Sequence, residues 1–538
     1  SSRLIPLVLQ DVFSRYADNQ SFEFLVPTKE SLRTLNITNV AYFIVEAQDE
    51  SMVRDICIKI EDEIIDSLYQ KLNTAIDNLL NNKDVNKSLT EHYIKNEGFN
   101  KYLIEYQIKH ALNVVWAGTI LEDDIKKAKE EVDKALAYIK SSKEIDDGFI
   151  EGIELLRRGN NLYSENDYLE FVKKQENIGY KHLAGAYMCS LCGMRGVLGA
   201  TVEDPKGKGF WKSIEKSPLL DASERLCGFC LGKRIYEYNK ESKFESVVNF
   251  ALREYSDEAY EKLLALVKKY NFEDIQHVYP EYLEERKDIK EEFENFYKEY
   301  GKPNKYYALI MLDGDYMGQK VDEAFKSLDE IKKFTNKLSS YGDKFKKILE
   351  HQKGKVIYTG GDDLLAVSPK SNALGVYKEV CESFDLSTMS GGVVIAHYKL
   401  PLNYVLEELR KAESLAKSLG KEGVYIKYVK HSYSSSGAFI KKDMIEDFLR
   451  VVDMMKSEDF PNTFVSQLYT LLIPYMYNQQ NDADLMKNLI NYLLNKKKFG
   501  RKEEFKKLLY ESTLFDIKNP KDLIDKLKVA KFLANQGE

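Results

Sequence analysis

Val356–Ser368 reads VIYTGGDDLLAVS, two apolar runs on either side of Gly360-Gly361-Asp362-Asp363. Gly-Gly and Gly-Asp are hairpin residues, because tight turns between strands need positive φ angles. An Asp in such a turn often does no more than bond its own backbone. Taken alone, the stretch reads equally well as a structural hairpin and as a site that needs two adjacent carboxylates, so the neighbouring segments decide.

Upstream, KYYALIMLDGDYMG begins with an apolar strand from Tyr306 to Leu312 and ends at Asp313-Gly314-Asp315. A long helical pattern follows to about His351, then the strand KVIYT, the GGDD turn and the strand LLAVS. Beyond these come a helix from about Ala373 to Phe384, the strand MSGGVVIAHY and the helix LNYVLEELRKAESLAKSL. The order β-α-β-β-α-β is that of a ferredoxin-like palm. In that topology the first strand lies beside the central hairpin, so Asp313 is expected to meet Asp362 and Asp363.

Three converging carboxylates repel one another unless a cation joins them. Hard oxygen ligands with room for water suit Mg²⁺ or Mn²⁺. Two such ions about 4 Å apart activate an attacking hydroxyl and stabilise a leaving pyrophosphate. Gly360 and Gly361, and Gly314 and Gly318 after the first strand, let backbone approach a triphosphate without a Cβ in the way. The ligand spacing of an EF-hand and the Walker A pattern are both absent from the sequence.

Four of the six cysteines come in pairs, Cys189 and Cys192 in CSLC and Cys227 and Cys230 in CGFC. Two CxxC pairs offer four thiolates from two tight knuckles, the donor set of a structural zinc site. Gly193 and Gly228 follow as turn residues. The insert TVEDPKGKGFWKSIEKSPLLDASER is longer than in a compact finger. A closed set of four thiolates leaves no open position for catalysis. Disulfides are the competing reading, and no export signal supports them. Cys57 and Cys381 stand alone in apolar segments and are expected to be buried thiols.

The 538 residues are 43% hydrophobic, enough for several cores. No apolar run of ~18 residues suggests a membrane span. The chain starts Ser1-Ser2-Arg3-Leu4-Ile5, without Met and without the order of a secretory signal, which reads as a trimmed or engineered start. A formal charge of −7 excludes a generally basic nucleic-acid binder. The cluster Lys496-Lys497-Lys498 with Arg501-Lys502 reads first as a solvated helix face. In the N-terminal region, Asn39–Ala47 reads as a strand and Asp49–Asn82 as a helix, with Ile60, Ile64, Leu68 and Leu72 at four-residue spacing. Tyr106–Ile120 reads as extended. Residues 122–300 are mostly helical around the cysteines, and Gly301-Lys302-Pro303-Asn304 reads as a boundary. Residues 433–538 look helical, with no strand signal of weight.

The stretches MLDGDYMG, YTGGDDLLAV and SGGVVIAHYKLPL, with the paired CSLCG and CGFC, resemble the large subunit of type III CRISPR effector complexes, most closely the Cmr (III-B) kind. The resemblance covers most of the chain and is specific as a set, although GGDD alone also occurs in diguanylate-type cyclases. It implies an α+β multidomain protein with two ferredoxin-like palms: a degenerate, N-terminally incomplete one at 1–121 and the GGDD palm at 301–432. A zinc-containing helical domain at 122–300 and a C-terminal helical domain at 433–538 complete it. It implies a template-free nucleotidyltransferase that joins ATP into cyclic oligoadenylates when guide RNA pairs with target RNA. Its partners would be the other Cmr subunits, the guide CRISPR RNA and the target RNA, in the cytoplasm.

Carried over residue by residue, Asp313, Asp362 and Asp363 would hold two Mg²⁺ or Mn²⁺. Gly314, Gly318, Gly360, Gly361 and Ser390 would contact nucleotide. Asp315 would cap the following helix. Of Gly391 and His397 on the neighbouring strand, the histidine reads better as packed than as facing nucleotide. One departure stands out: none of the seven histidines precedes an Asp, so the His-Asp pair of the family's N-terminal nuclease is missing. Some Cmr-type members without that domain are associated with AMP transfer to S-adenosylmethionine, and the sequence leaves the acceptor open. A free-standing cyclase and a catalytically silent scaffold are the other readings. The zinc and helical regions argue against the first, and the intact carboxylate set against the second.

Overall fold

The computed structural model describes residues 4–33, 40–80, 104–142, 188–193, 195–199, 208–214, 224–238, 245–272, 274–284, 286–476 and 482–535. The chain divides into two compact units, residues 1–244 with 324–335, and residues 245–323 with 336–538.

In the first unit, helix α1 (Leu4–Ala17) precedes strands β1 (Phe22–Val26) and β2 (Tyr42–Val45), which pair antiparallel. Helix α2 (Glu50–Leu80) follows. Its apolar residues recur every three to four positions, and Ile60, Ile64, Leu68, Leu72, Ile76 and Leu79 are all buried. Helices α3 (Ile125–Ser142), α4 (Lys208–Ile214) and α5 (Gly228–Tyr238) complete the unit. Among the described residues this unit has a two-stranded sheet only, short of the four strands of a full ferredoxin-like palm. The extended reading of 106–120 also gives way: residues 104–109 are helical and 112–120 form no strand. Their aromatic and β-branched residues look strand-like, but among the described residues they join no ladder.

The second unit opens with α6 (Val247–Leu252), α7 (Asp257–Lys269) and α8 (Lys287–Tyr300). In α7 the Ser256 side chain accepts from the Ala259 N–H, Asp257 and Glu258 fill the first turn, and Lys268 and Lys269 the last. The sheet follows: β3 (Tyr306–Gly314), α9 (Met317–Ala324), α10 (Leu328–His351), β4 (Lys355–Thr359), β5 (Leu364–Pro369), α11 (Ala373–Ser383) and β6 (Met389–His397). Then come α12 (Leu402–Ser418), β7 (Gly423–Val429) and β8 (Ser435–Lys441). Strand order is β4-β5-β3-β6-β7-β8. The first four strands in that order are the expected palm, with β3 between the hairpin and β6. β7 joins β6 in parallel through α12, and β8 pairs antiparallel with β7.

β8 lies beyond residue 432, in a region expected to be wholly helical. Its serines and alternating burial hide it from a search for apolar runs. Helices α13 (Ile445–Lys456), α14 (Phe464–Leu472), α15 (Ala483–Asn495), α16 (Lys502–Glu511) and α17 (Pro520–Ala534) follow. Phe532 of α17 stacks on Tyr428 of β7 at 4.2 Å between centroids and meets Tyr306 edge-on at 4.9 Å.

The cores cross the boundaries expected from sequence. Val248, Phe250, Leu263, Ile289 and Phe293 share one buried cluster with Tyr307, Leu309, Val394 and Val405, so 245–300 packs with the palm. The cysteine knuckles share theirs with α1 and α2. The units therefore part at 244/245 and not at Gly301. Gly301 still ends α8, at φ 81°.

Candidate functional site

Asp313 is the last side chain before β3 ends, opposite Ser390 on β6 and one residue beyond the pair Leu312–Leu364. The GGDD turn joins β4 to β5 and is closed by the Gly360 N–H donating to the Asp363 carbonyl at 3.1 Å. Gly361 has φ 101°, and a Cβ there would lie 2.7 Å from Leu338. A Cβ on Gly360 would strike the Tyr358 hydroxyl, and one on Gly314 would lie 3.0 Å from the Asp362 Cβ. These glycines let the turn close down over the end of β3. At Gly318 a Cβ would meet no protein atom within 4 Å, so packing does not require a glycine there.

The result is the expected convergence: carboxylate oxygens of Asp313, Asp362 and Asp363 all lie within 4.8 Å of one another. Burial raises Asp362 to about 6, with the Asp313 charge adding to it. Burial, the hydrogen bond to Asp313 and the two neighbouring charges raise Asp363 to about 8. Burial pushes Asp313 the same way, but the Asp363 hydrogen bond and the Lys417 ammonium overcome it and hold Asp313 low. The Asp313–Asp363 pair thus shares a proton at neutral pH unless a cation replaces it. Lys417 near the end of α12 sits 2.5 Å from both Asp313 and Glu413. Lys421 adds a further positive charge near Asp313, and its Nζ lies 4.0 Å from the ring centre of Tyr316.

Neither lysine carries a sequence motif. Their signal is positional: α12 packs so close to β6 that a Cβ on Gly392 would lie 2.8 Å from the Ala412 Cβ. The last turn of α12 is thereby brought to the end of β3. A Cβ on Gly391 would stand 2.0 Å from the Met311 carbonyl oxygen, so that glycine serves the β3–β6 approach.

Two expectations for this strand change. Ser390, although it pairs across from Asp313, is fully buried and donates its hydroxyl to the Asp315 carboxylate at 2.8 Å, so the hydroxyl is taken up inside the protein and not by a nucleotide. Asp315 is not a helix cap; its side chain also accepts from Thr388 Oγ1 and the Glu422 N–H. His397 pairs across from Tyr306 at the opposite end of the β3–β6 ladder from Asp313, and burial and then the nearby His431 lower it to about 4. It is a packed histidine.

The four paired cysteines also meet, with all four sulfurs within 4.8 Å of one another. Cys192 and Cys227 Sγ are 3.9 Å apart. A disulfide needs about 2.05 Å, while four sulfurs around one zinc at about 2.3 Å stand roughly 3.8 Å apart. The first knuckle is built by the Gly193 N–H donating to the Cys189 carbonyl and the Cys189 N–H to the Arg195 carbonyl, both 2.8 Å. Shared hydrogen bonds among the thiols, and then burial, push Cys227 and Cys230 far up. Cys189 goes the other way, to about 6: its hydrogen bond with Cys192 raises it, but those with Cys227 and Cys230 together outweigh that. The cluster thus accepts one thiolate readily and resists the rest without a cation.

Gln107, which no motif marked, ties the knuckles together. It is fully buried, accepts from the Gly228 N–H at 2.6 Å and donates to the Gly196 carbonyl at 2.9 Å. Cys57 and Cys381 are buried single thiols, as expected. Arg501 of the basic cluster is paired with Asp453 and Glu504, as on a solvated face. No helix among the described residues is long and apolar enough to cross a membrane.

Comparison with known proteins agrees with this geometry. The family described as Cas10/Cmr2, second palm domain, matches residues 306–425. The curated CRISPR system Cmr subunit Cmr2 of Pyrococcus furiosus is 26% identical over 506 residues, covering 78% of this chain and 55% of that protein. The chain thus spans about half the length of that relative. Among solved structures, a type III-B Cmr-beta complex bound to cognate target RNA contains a chain of the same fold. Its TM-score is 0.62 at 12% identity, over 99% of this chain and 80% of that one. The apo state of Cmr-beta gives 0.60 at 13% identity, over 99% and 79%. The palm has the polymerase/cyclase fold of nucleotidyltransferases, and the chain is similar to the Cmr-type large subunits of the Cas10/Cmr2 family.

Proposed function

We propose that this chain is the nucleotidyltransferase subunit of a type III-B effector complex. Assembled with other Cmr subunits and guide RNA, it makes cyclic oligoadenylate from ATP when target RNA is bound. The observation that carries this reading is the meeting of Asp313, Asp362 and Asp363 within 4.8 Å at the end of β3, partly buried, with Lys417 beside them. Asp313, Asp362 and Asp363 would hold two Mg²⁺ or Mn²⁺, the hard cations that suit carboxylate oxygens. Those ions, when bound, lower the pKa of the attacking 3′-hydroxyl and stabilise charge on the leaving pyrophosphate.

In each step a ribose 3′-oxygen bonds to an α-phosphorus, the bond to the pyrophosphate oxygen breaks, and the 3′-hydroxyl proton leaves to solvent. The residues of the chain bind and orient the substrate. Gly314, Gly318, Gly360 and Gly361 keep side chains away from the triphosphate. Lys417 and Lys421 would meet its negative charge, Lys417 pairing with phosphate oxygen in place of Asp313. Zinc on Cys189, Cys192, Cys227 and Cys230 would be structural, since the four thiolates close the shell.

The test is to incubate the assembled complex with target RNA and labelled ATP, with and without S-adenosylmethionine. Oligoadenylate is expected, with no product from a complex carrying Asp362→Ala and Asp363→Ala that still assembles. Wild-type turnover by that variant would overturn the metal assignment. A product formed only with S-adenosylmethionine would redirect the acceptor while keeping the site.

A further inference from the structure

Behind the carboxylate cluster lies a charged side chain that the site does not use. Asp315 is 1% exposed and stands outside the group of carboxylates close enough to share a cation. Its Oδ2 accepts from Thr388 Oγ1 and Ser390 Oγ, each at 2.8 Å, and from the Glu422 N–H at 3.2 Å. Its own N–H donates to the Thr388 carbonyl at 2.8 Å, and Ser387 Oγ donates to its carbonyl at 2.5 Å. Five bonds therefore fasten this one residue to the start of β6 and to the corner between α12 and β7.

That corner is an unusual piece of backbone. Gly420, Lys421 and Glu422 have φ of 117°, 60° and 51°, and Tyr316, next to Asp315, has 58°. Consecutive non-glycine residues in the left-handed region persist only where their surroundings over-determine them. Three links join the strip 313–316 to the strip 417–422. Asp313 pairs with Lys417 and Tyr316 lies under Lys421, both half open to solvent. Asp315 to the Glu422 N–H is the buried link. The Lys421 N–H to the Ala416 carbonyl at 3.2 Å and the Lys442 N–H to the Glu422 carbonyl at 2.8 Å tie the corner to the last turn of α12, which carries Lys417, and to the end of β8. When ligand draws Lys417 off Asp313, the Asp315 bond is the buried link that still ties this corner to the end of β3.

We propose that Asp315 is a positioning residue: its carboxylate holds the Gly420–Glu422 corner so that Lys417 and Lys421 face the triphosphate of a nucleotide bound at Asp313, Asp362 and Asp363. The inference rests on the nucleotide reading of that site. It differs from a ligand role, in which Asp315 would touch a metal, and from a purely structural role, in which it would support the fold without regard to the lysines.

The experiment uses the full chain, with Mn²⁺ alone and Mg·ATP as separate probes. Asp315→Ala is expected to weaken Mg·ATP binding at least about fivefold while leaving Mn²⁺ affinity within about twofold. Asp315→Asn, which keeps an oxygen acceptor for the three donors, is expected to restore Mg·ATP binding to within about twofold of wild type. In a Lys417→Met, Lys421→Met background, Asp315→Ala should add less than about a twofold further loss, because the groups it positions are gone. Should Asp315→Ala not fold, Thr388→Val removes a single donor and takes its place, with a loss of about two- to threefold that the lysine substitutions again mask. Loss of Mn²⁺ binding in Asp315→Asn, or an unmasked effect in the lysine background, would overturn the inference. Intact Mg·ATP binding without turnover by the wild-type complex would instead count against the proposed reaction and leave the inference standing on its binding data.

Discussion

Replacing Gln107 by Ala tests how the two cysteine knuckles are held, and its size follows from two bonds. The Gly228 N–H is buried, and losing its acceptor leaves it unpaired at a cost of about 2 kcal/mol. The Gly196 carbonyl sits in a partly buried bond and loses about 1 kcal/mol. The missing methylene adds about 0.8 kcal/mol. The sum, about 4 kcal/mol, is a large share of the 5–15 kcal/mol that roughly spans domain stabilities.

A chain of two compact units need not unfold in one step, so a global midpoint is the wrong readout. Zinc release into a chromogenic chelator along a urea series reports only the unit that holds the cysteines. With a slope of about 2–3 kcal/mol per molar urea, the release midpoint should fall by about 1.3–2 M. Gln107→Met keeps the bulk and loses the bonds, so it should fall nearly as far. A midpoint within about 0.3 M of wild type for Gln107→Ala would refute the account. A wild-type midpoint for Gln107→Met alone would assign the effect to packing.

Elemental analysis of freshly purified protein should find about one zinc per chain, and less than about half an equivalent would count against the four-thiolate site. Mn²⁺ affinity should be flat above pH 8, fall about tenfold per unit between 8 and 6, and fall more steeply below, because metal displaces first the Asp363 proton and then the Asp362 proton. The sign reverses for metal-free stability: both carboxyls are raised above their unfolded values, so this site's contribution declines as pH rises through 6 and 8, and thermal melts without metal should show it. Gly391→Ala puts a methyl 2.0 Å from the Met311 carbonyl oxygen, a backbone atom. It should destabilise the palm by about 3 kcal/mol or more, seen in the palm's unfolding midpoint. Lys417→Met should raise the KM for ATP about tenfold, measured in the assembled complex with target RNA, and an unchanged KM would remove it from the site.

The palm was largely legible in the sequence, because β3, β5 and β6 are apolar runs cut short by glycine and aspartate, and the βαββαβ order places Asp313 beside the GGDD turn without further information. The cysteine cluster was legible for a similar reason: spacing within each knuckle is local. What the sequence hid depends on long-range approach. Lys417 and Lys421 sit on an ordinary charged helix end until Gly392 lets α12 lie close on β6. Ser390 looks accessible beside two glycines, yet its hydroxyl turns inward to Asp315. β8 is a polar strand that alternates exposed and buried residues, and only pairing with β7 reveals it. Gln107 lies in a stretch whose composition favours strand, and only its two partners far along the chain explain why a glutamine is buried there.

The carboxylate cluster has two jaws, one in the middle of the sheet and one on a hairpin. Asp313 rides on β3, clamped between β5 and β6 in the middle of a six-stranded sheet. Asp362 and Asp363 ride on the tip of a hairpin whose outer strand, β4, comes last in the strand order among the described residues and carries a register irregularity between Val356 and Tyr358. Tilting that tip changes the gap between the jaws without breaking any ladder of β3. A misplacement of about 1 Å in such a constellation costs roughly a hundredfold in rate. Any cations held between the jaws would therefore feel a tilt of the β4–β5 hairpin as a change in the spacing of their ligands, with the rest of the palm left as it is.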